Sequence, residues 1–310
     1  MKTFVGCAVD VSVRYQATSG GIGSSLLKYL FDTGKVQTAI SFTYNKEILQ
    51  YEPILIYDFQ DYRQVGSIYH EIKLVQFVKQ NITQIHGDIA CFCLPCQALS
   101  LRKLIENSGR KCFLLGLTCS SQQSIDATYY LLKCIHIPLD KVTYIQYRGN
   151  GWPSGVQIET IDHEKIFVPN NDSVWTKIFH SRLFIQSRCF KCTNTLNQFA
   201  DVSLLDPWLP EYLKDNSNSG KTLVIAYSSA GLKILEDAFA MKYIYLDKID
   251  QNAINVSQGV TIRRKRKYQE RRNVRRILMW MHKSHFYRSH VLSSPFLFKL
   301  HGFVLRILEK

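Results

Sequence analysis

The sequence lacks the features that mark several large classes of protein. Across its 310 residues, no apolar run approaches the roughly 20 residues that a helix needs to cross a bilayer. Nothing resembles a secretion signal, because Asp10 interrupts the short apolar stretch that follows Met1. There is no P-loop, no nucleophile triad and no carboxylate pair placed as in a glycosidase. We therefore expect a cytoplasmic chain that is neither a kinase nor a hydrolase.

Cysteine, in contrast, is abundant, with nine residues in a chain of ordinary globular composition. In a reducing compartment this number argues against a disulfide framework. Free cysteine packs well in protein cores, so we expect part of the set to be buried as small apolar residues. Two pairs stand apart from the rest, because Cys93 and Cys96, and likewise Cys189 and Cys192, have the C-x2-C spacing.

Two such pairs can surround one metal centre. Four thiolates suit a tetrahedral zinc ion or a [4Fe–4S] cluster. The pairs are separated by about 93 residues, which is far outside the compact spacing of a zinc ribbon. Cys119 follows a predicted strand and is a further candidate ligand. Scattered core thiols remain the alternative interpretation.

The net charge of +14 is concentrated at the C-terminal end. Residues 263–310 contain 14 basic and 2 acidic side chains, so this segment alone carries +12. We predict two parts, a main domain over residues 1–262 and a basic helical tail over 263–310. Nucleic acid is not a favoured partner, since the basic run lacks interleaved aromatic residues. Contact with an anionic membrane surface, and packing against the body or a partner, both remain open.

Hydrophobic periodicity predicts an alternation of strands and helices. Predicted strands cover residues 3–9, 36–44, 54–57, 88–94, 111–117 and 222–227, and predicted helices cover 22–33, 68–84, 97–107, 124–134 and 231–240. Residues 142–170 are expected to form an antiparallel excursion, and 215–220 a loop. The pattern indicates an α/β fold with a mixed sheet, flanking helices, a small irregular cysteine-containing subdomain and a basic helical C-terminal tail.

A glycine-containing segment, Thr18-Ser-Gly-Gly-Ile-Gly-Ser24, opens the first predicted helix. Glycine lets the backbone approach a ligand closely, and a helix N-terminus presents N–H donors to phosphate. The segment is therefore a candidate binding loop, with a plain turn as the alternative.

Seven short motifs follow one another over residues 1–230. They are Thr18-Ser-Gly-Gly21, Gly66-Ser-Ile-Tyr69, Pro95-Cys-Gln97, Gly116-Leu-Thr-Cys119, Arg148-Gly-Asn-Gly-Trp-Pro153, Cys189-x-x-Cys192 and Asp206-Pro-Trp208. In this order they resemble the coenzyme F420 hydrogenase/dehydrogenase beta-subunit family, and within it the stand-alone members of polysaccharide-biosynthesis sets.

The resemblance implies an iron–sulfur flavoprotein that holds FAD and a [4Fe–4S] cluster. By position, the implied cluster ligands are Cys96, Cys119, Cys189 and Cys192, with Cys93 as an alternative ligand. The implied flavin-binding residues are Ser19, Gly20, Gly21, Ser67, Tyr69, Pro95 and Gln97. No catalytic residue is identified.

The function implied is that of a reductase in bacterial capsule or exopolysaccharide biosynthesis. It would take electrons from a ferredoxin-like donor, act on a small molecule or sugar precursor, and work in the cytoplasm, with peripheral contact at the inner membrane face as one option. The alternative is a degenerate, non-enzymatic member with a structural or interaction role, whose cysteines bind zinc or nothing. Cys93 and Leu94, which replace a family Gly-Thr, and Leu205, which replaces a glycine, favour that alternative.

Overall fold

Two β-sheets, one of eight strands and one of three, organise the part of the chain that the structure describes. The computed structural model describes residues 1–171, 173–214 and 219–310. The strands are β1 (Lys2–Ala8), β2 (Thr38–Asn45), β3 (Gln50–Ile56), β4 (Ile89–Cys93), β5 (Cys112–Leu117), β6 (Val142–Gln146), β7 (Gly155–Thr160), β8 (Lys165–Pro169), β9 (Val202–Leu205), β10 (Thr222–Ala226) and β11 (Ile244–Lys248).

Helices flank both sheets. They are α1 (Val11–Gln16), α2 (Ile22–Asp32), α3 (Leu74–Gln80), α4 (Ala98–Glu106), α5 (Asp126–Cys134), α6 (Val174–His180), α7 (Pro210–Leu213), α8 (Ser229–Ala240), α9 (Asn252–Glu270), α10 (Arg272–Lys283), α11 (His285–Ser293) and α12 (Pro295–Glu309). Short 3-10 turns cover Phe59–Asp61, Ile82–Gln84, Leu139–Lys141 and Ser187–Lys191.

The large sheet has the strand order β11-β1-β10-β9-β5-β4-β2-β3. Its centre is parallel, because β2 pairs with β4, β4 with β5, and β5 with β9 in the same direction. Strand β1 also runs parallel to β9, since both are antiparallel to the intervening β10. This mixed α/β architecture confirms the predicted fold class.

The strand directions place several sequence motifs at one edge of the sheet. The carboxyl ends of β1, β4, β5 and β9 all lie at this edge, and each is followed by one of the motifs. Open α/β sheets bind ligands outside the carboxyl ends of their strands. The fold therefore brings together segments that are up to about 190 residues apart in the chain.

Apolar side chains cover both faces of the large sheet. On one face, Leu26 and Leu30 of α2 and Leu235 of α8 are fully buried against the strands. On the other face, Leu74 of α3 and Leu101 of α4 are equally buried. Both faces are covered, as expected for the parallel part of a sheet.

The smaller sheet is antiparallel and consists of β6, β7 and β8, which confirms the excursion predicted over residues 142–170. It packs with α5 and α6 around a second core in which Trp175 is 1% exposed. Val291 of α11 joins the same core, so the C-terminal helices already contact the body here.

The C-terminal segment is helical, as predicted, and packs onto the body. Tyr268 of α9, Leu278 of α10 and Leu305 of α12 surround Phe190, which lies between Cys189 and Cys192. Helix α9 begins at Asn252 and continues through residues 262 and 263. The division at that point, into a domain over 1–262 and a tail over 263–310, stays a prediction.

Within residues 1–171, 173–214 and 219–310, no single helix is long and apolar enough to cross a membrane. Helices α11 and α12 meet the length and composition criteria only as a pair, and they are bent by 119° at Ser294.

One local prediction needs correction. The helix predicted over 68–84 is limited to α3, because residues 68–70 are held extended by hydrogen bonds from Gln122 and Gln123. Arg14 belongs to the short helix α1, whose first turn is capped by the Asp10 carboxylate. Of the loop predicted over 215–220, residues 215–218 lie outside the described residues.

Candidate functional site

A cavity of about 580 Å³ lies at the carboxyl edge of the large sheet. Its volume is within the range of about 300–1,000 Å³ that is typical of small-molecule sites. Five of the seven predicted flavin-binding residues line it, namely Ser19, Gly21, Ser67, Tyr69 and Gln97. Gly20 and Pro95 are not among the lining residues. The cavity also reaches Cys119, one of the predicted cluster ligands, and Cys93, the alternative ligand.

Arg148 connects three of the motifs around this cavity. Its guanidinium donates to both carboxylate oxygens of Asp206, at 2.6 and 3.1 Å, and to the carbonyl oxygen of Thr18 at 2.8 Å. The side chain is only 4% exposed. Burial by itself would lower the pKa of Arg148, but Asp206 more than reverses this effect and keeps the group charged. The Arg148–Asp206 pair thus joins the loops after β1, β6 and β9.

Two motif glycines are required by close backbone approaches. A Cβ atom at Gly66 would lie 1.7 Å from the carbonyl oxygen of Arg148, and the φ of Gly66 is +72°. At Gly20, a Cβ atom would lie 2.6 Å from the backbone nitrogen of Thr222. The structure therefore gives both glycines a packing role, and of the two Gly66 lines the cavity. Trp152 and Trp208 pack nearby with their ring centroids 5.3 Å apart.

The Pro95-Cys96-Gln97 segment is fixed by the side chain of Gln97. Its Oε1 accepts from the backbone N–H of Leu94 at 2.9 Å, and its Nε2 donates to the carbonyl oxygen of Ile72 at 3.1 Å. Gln97 is buried, whereas Cys96 is exposed. This arrangement fixes the segment that carries Cys96 just after β4, between Leu94 and Gln97, which both line the cavity.

The four predicted cluster ligands lie in one neighbourhood. Burial raises the pKa of the Cys119 thiol to about 12, and the nearby thiols of Cys189, Cys96 and Cys192 act in the same direction. Burial also raises the pKa of Cys189. The backbone N–H of Gln122 donates to its Sγ at 3.4 Å and has the opposite effect on the pKa. Residues more than 90 positions apart in the sequence therefore influence each other electrostatically.

A lysine of α9 is buried at this cysteine group. The ammonium group of Lys265 donates to the carbonyl oxygens of Cys119 at 2.8 Å and Asn194 at 2.9 Å. It also lies 3.5 Å from the Sγ of Cys192, within hydrogen-bonding distance. Lys265 is 3% exposed, so its charge acts in a poorly solvated environment. It lowers the pKa of both Cys119 and Cys189.

Cys93 belongs to a different group of thiols. It is 2% exposed, and its Sγ accepts from Asn197 at 3.7 Å. Burial raises the pKa of Cys93 to about 12, and Cys112 is the neighbouring thiol that adds to the effect. Cys91 hydrogen-bonds with Cys112 in the same core. The structure thus brings together Cys96, Cys119, Cys189 and Cys192, and places Cys93 with the core thiols.

The chemistry of the four thiols fits an iron–sulfur cluster. Among the described residues, no group of three or more His, Cys, Asp or Glu side chains converges closely enough to hold a single metal ion. A [4Fe–4S] cluster differs from a lone ion because its four thiolates bind four separate irons. The buried ammonium of Lys265 and the N–H of Gln122 are donors that stabilise thiolate charge.

Helix α9 contributes to the cavity, which was not predicted from the sequence. Four residues of this helix line the cavity, namely Ser257, Gln258, Thr261 and Arg264. Gln258 donates to the carbonyl oxygen of Asp206 at 3.1 Å, which ties the helix to the Asp-Pro-Trp motif. The basic run was visible in the sequence, but no local pattern indicated that Arg264 would line the cavity and that Lys265 would be buried at the cysteines.

Two models of the coenzyme F420 hydrogenase/dehydrogenase beta subunit match the chain. The N-terminal model covers residues 3–79, and the C-terminal model covers residues 86–252. Together they include every motif named above and end where α9 begins.

The proteins similar to the chain include two relatives and one solved structure. One component of the F420H2 dehydrogenase of Methanosarcina mazei is 25% identical over 190 residues, which are 60% of this chain and 51% of that protein. The beta subunit of the F420-dependent formate dehydrogenase of Methanocaldococcus jannaschii is 23% identical over 288 residues, which are 87% of this chain and 69% of that protein. The chain thus spans about half the length of the first relative.

The fold is similar to that of a chain from the F420-reducing [NiFe] hydrogenase complex of Methanosarcina barkeri, solved as a xenon derivative. The TM-score is 0.67 at 18% identity, and the match covers 88% of this chain and 92% of that one.

Proposed function

The chain belongs to the coenzyme F420 hydrogenase/dehydrogenase beta-subunit family, and from this premise we propose that it is a flavin- and [4Fe–4S]-dependent oxidoreductase. One observation carries the proposal. The four thiols at positions given by the family motifs share one neighbourhood, and Cys119 also lines the cavity with five predicted flavin-binding residues. Electron transfer between a flavin and a cluster requires the two groups to be close, and this arrangement would hold them close together.

We propose distinct roles for the cysteines and for Lys265. Cys96, Cys119, Cys189 and Cys192 would hold the cluster, and Lys265 would offset part of its negative charge. A flavin exchanges a hydride, whereas a cluster exchanges single electrons, and together they connect the two kinds of donor.

The cavity would bind the isoalloxazine ring and the substrate out of bulk water. Ser19, Ser67 and Gln97 offer polar atoms, and Tyr69 offers an aromatic edge. Arg148 is already neutralised by Asp206, so its main role would be to hold the wall in shape. FAD is the flavin we propose.

We propose a bacterial polysaccharide precursor, such as a sugar derivative, as the substrate, and a ferredoxin-like protein as the electron donor. A cavity of about 580 Å³ is consistent in size with a small molecule beside a flavin ring. The relatives are named as subunits, which supports a protein partner of some kind. The proposed location is the cytoplasm, with peripheral contact at the inner membrane face.

A second candidate is a family member that keeps the fold without redox chemistry. It is favoured by the absence, among the described side chains, of a ready-made group for a single metal ion. It is also favoured by Cys93, a buried core thiol at the position where the family has glycine. Such a protein would bind neither flavin nor iron.

The test is a reduction experiment on the anaerobically purified chain. Reduced ferredoxin is added, and the visible absorbance of bound flavin is followed with time. The proposal predicts bleaching of the flavin in the wild type and much slower bleaching in Cys119→Ser, while Cys134→Ser behaves as the wild type. Bound flavin that ferredoxin reduces equally fast in all three proteins would contradict the role of the cysteines, and a chain that takes up no flavin would contradict the proposal as a whole.

A further inference from the structure

Arg264 differs from two buried arginines, Arg148 and Arg182, in having no counter-ion among the described residues. Arg148 has Asp206, and Arg182 donates to Glu309 at 2.9 Å. Arg264 of α9 also lines the cavity, yet within the described ranges it makes no ion pair and no hydrogen bond. The side chain as a whole is half-buried, but its Nη2 is buried without a partner. Buried polar groups are normally hydrogen-bonded, so this atom indicates a place for a ligand oxygen.

The position of Arg264 explains why no protein carboxylate neutralises it. Its Nη2 is fully buried and has no partner. The nearest acidic group acting on it is Glu309, which is already bound by Arg182 and by the hydroxyl of Tyr268. Burial lowers the pKa of Arg264 to about 10, and Arg182 acts in the same direction. The guanidinium is still charged at neutral pH.

Polar groups adjoin Arg264 on the cavity wall. Thr261 lies one helical turn before it on α9 and lines the same cavity. His180 lines the cavity as well and is held neutral, since burial and then the charges of Arg182 and Arg264 lower its pKa to about 4. Cys119 also falls within the electrostatic reach of Arg264. An anion bound here would therefore lie beside the group of four thiols.

We propose that Arg264 binds an anionic group, phosphate or carboxylate, of the molecule that the cavity takes as substrate. The planar guanidinium presents paired N–H donors that match the oxygens of either anion. The inference rests on the proposed function in that it treats the cavity as a substrate site. It goes further in naming the charge class of the substrate. Arg264 lies beyond residue 252, where the family match ends, so this specificity belongs to the C-terminal segment.

The test is titration calorimetry of the full chain with two probes, inorganic pyrophosphate and citrate, which distinguish phosphate from carboxylate. We expect the wild type to bind at least one probe, and Arg264→Gln to bind it about 10-fold to 100-fold more weakly. The control is Arg263→Gln, which removes an exposed charge from the adjacent position and should bind as the wild type. Equal binding by Arg264→Gln and the wild type, or no binding of either probe by the wild type, would overturn the proposal.

The melting temperature is a second measurement, and it distinguishes a ligand-binding role of Arg264 from a structural one. An unpaired buried charge destabilises the ligand-free fold, so Arg264→Met should raise the melting temperature without ligand and abolish the stabilisation by the bound probe. A residue that supports the fold would instead lower the melting temperature when replaced, and that result would contradict the inference. Arg264→Lys should retain weakened binding, because lysine keeps the positive charge but lacks the paired N–H donors of the guanidinium.

These outcomes separate the inference from the proposed function. If the chain takes up no flavin or iron but its anion binding depends on Arg264, the proposed function fails and the anion site stands. If flavin and iron bind and the loss of Arg264 leaves anion binding unchanged, the proposed function stands and the anion site fails. If flavin itself binds more weakly in Arg264→Gln, then the anion is the flavin phosphate and the substrate proposal fails.

A second, independent observation concerns the outer face of α12. Phe296, Leu300, Phe303 and Ile307 occupy one stripe of this helix and are 72%, 47%, 58% and 57% exposed. Exposed Lys299 and Arg306 lie beside the stripe, and Glu309, the acidic residue of this helix, is bound to Arg182. The opposite face of α12 packs on the body through His301 and Leu305.

We further infer that this stripe rests on an anionic membrane surface. A row of large apolar side chains, flanked by basic ones and carried by a segment with a net charge of +12, is complementary to lipid headgroups of negative charge. Lying on the surface requires no membrane-spanning length. An apolar stripe of this kind would be unnecessary for binding to nucleic acid, which depends on charge.

The test is co-sedimentation with vesicles of phosphatidylcholine alone and of phosphatidylcholine mixed with phosphatidylglycerol. We expect binding to the mixed vesicles only, and a loss of about tenfold in affinity in the double variant Phe296→Ser/Phe303→Ser. The control is Phe167→Ser, an exposed phenylalanine of β8 outside the tail. Unchanged binding by the double variant would contradict the inference. A wild-type dimer that the double variant converts to a monomer would also contradict it, and would indicate self-association through the stripe instead.

Discussion

The ammonium group of Lys265 lies 3.5 Å from the Sγ of Cys192, although the two residues are 73 positions apart in the sequence. The lysine comes from the basic C-terminal segment and the cysteine from the second C-x2-C pair. Lys265 also donates to the carbonyl oxygen of Cys119, so it joins two of the proposed ligand loops. The C-terminal segment is thereby part of the candidate redox site.

Replacing Lys265 by methionine should impair retention of iron. The variant keeps a long side chain but loses three donor contacts and the charge that offsets thiolate. We expect about 10-fold weaker retention of iron during dialysis against a chelator. Lys267→Met, two residues further along α9, is the control and should retain iron as the wild type does. Equal loss of iron by both variants would indicate a general effect of tail charge.

Serine substitutions should divide the cysteines into two sets. Cys96→Ser, Cys119→Ser, Cys189→Ser and Cys192→Ser should each lower the iron content, because these thiols share one neighbourhood. Cys93→Ser should leave iron content close to that of the wild type, since its thiol packs with Cys91 and Cys112. Iron and sulfide assays on anaerobic samples provide the measurement. Loss of iron in Cys93→Ser with full retention in Cys119→Ser would favour the alternative ligand set.

The buried Arg148–Asp206 pair should be important for stability. Removing one partner of a buried pair leaves the other charge without compensation, which typically costs about 3–5 kcal/mol. Asp206→Asn should therefore lower the free energy of unfolding by about that amount in urea titrations. The exposed pair of Lys141 and Asp162 is the control, and Asp162→Asn should change stability by less than about 1 kcal/mol. Similar small effects at both sites would show that the Arg148 pair does not hold the loops together.

His70 should make stability depend on pH. It is 1% exposed, and its Nε2 accepts from the backbone N–H of Tyr51 at 2.8 Å, so the ring is neutral. Burial lowers the pKa of His70 from 6.5 to about 4. Between these values the unfolded chain binds a proton that the folded chain does not, so the stabilisation is complete above pH 6.5 and is lost as the pH falls towards 4.

The corresponding measurement compares wild type with His70→Gln at pH 7.5 and pH 5. The stability difference between the two proteins should shrink by about 2 kcal/mol over this interval, because glutamine keeps an acceptor but does not titrate. His285→Gln, at an exposed position of α11, should follow the wild type at both pH values. A constant difference between wild type and His70→Gln would show that the imidazole titrates normally in the folded protein.

Local sequence patterns predicted much of the fold. The alternation of strands and helices predicts a sheet with parallel pairs, and such pairing places the ends of β4 and β5 at one edge. Strand β9, which completes this edge, was not among the predicted strands. The helix predicted over 68–84 is wrong at its start for a reason that is not local. Ile68 and Ile72 have helical spacing, but donors from Gln122 and Gln123, more than 50 residues away, hold this backbone extended.

The cysteines show both the strength and the limit of spacing arguments. The C-x2-C motif of Cys93 and Cys96 suggests that both face one centre. Cys91 and Cys93, however, alternate along β4, so they share one face of the strand and point into the core. This alternation of Cys91 and Cys93 was already visible in the sequence. The inward positions of Arg264 and Lys265 were not predictable, because they depend on how α9 packs across the finished sheet.

The most direct test of the central claim is the anaerobic ultraviolet–visible spectrum of the wild-type chain, with flavin, iron, sulfide and zinc assayed on the same sample. We expect flavin bands over a broad cluster absorbance, with roughly four irons and four sulfides per chain. A colourless protein that resists anaerobic reconstitution, takes up no flavin and contains zinc or no metal would contradict the proposed redox function.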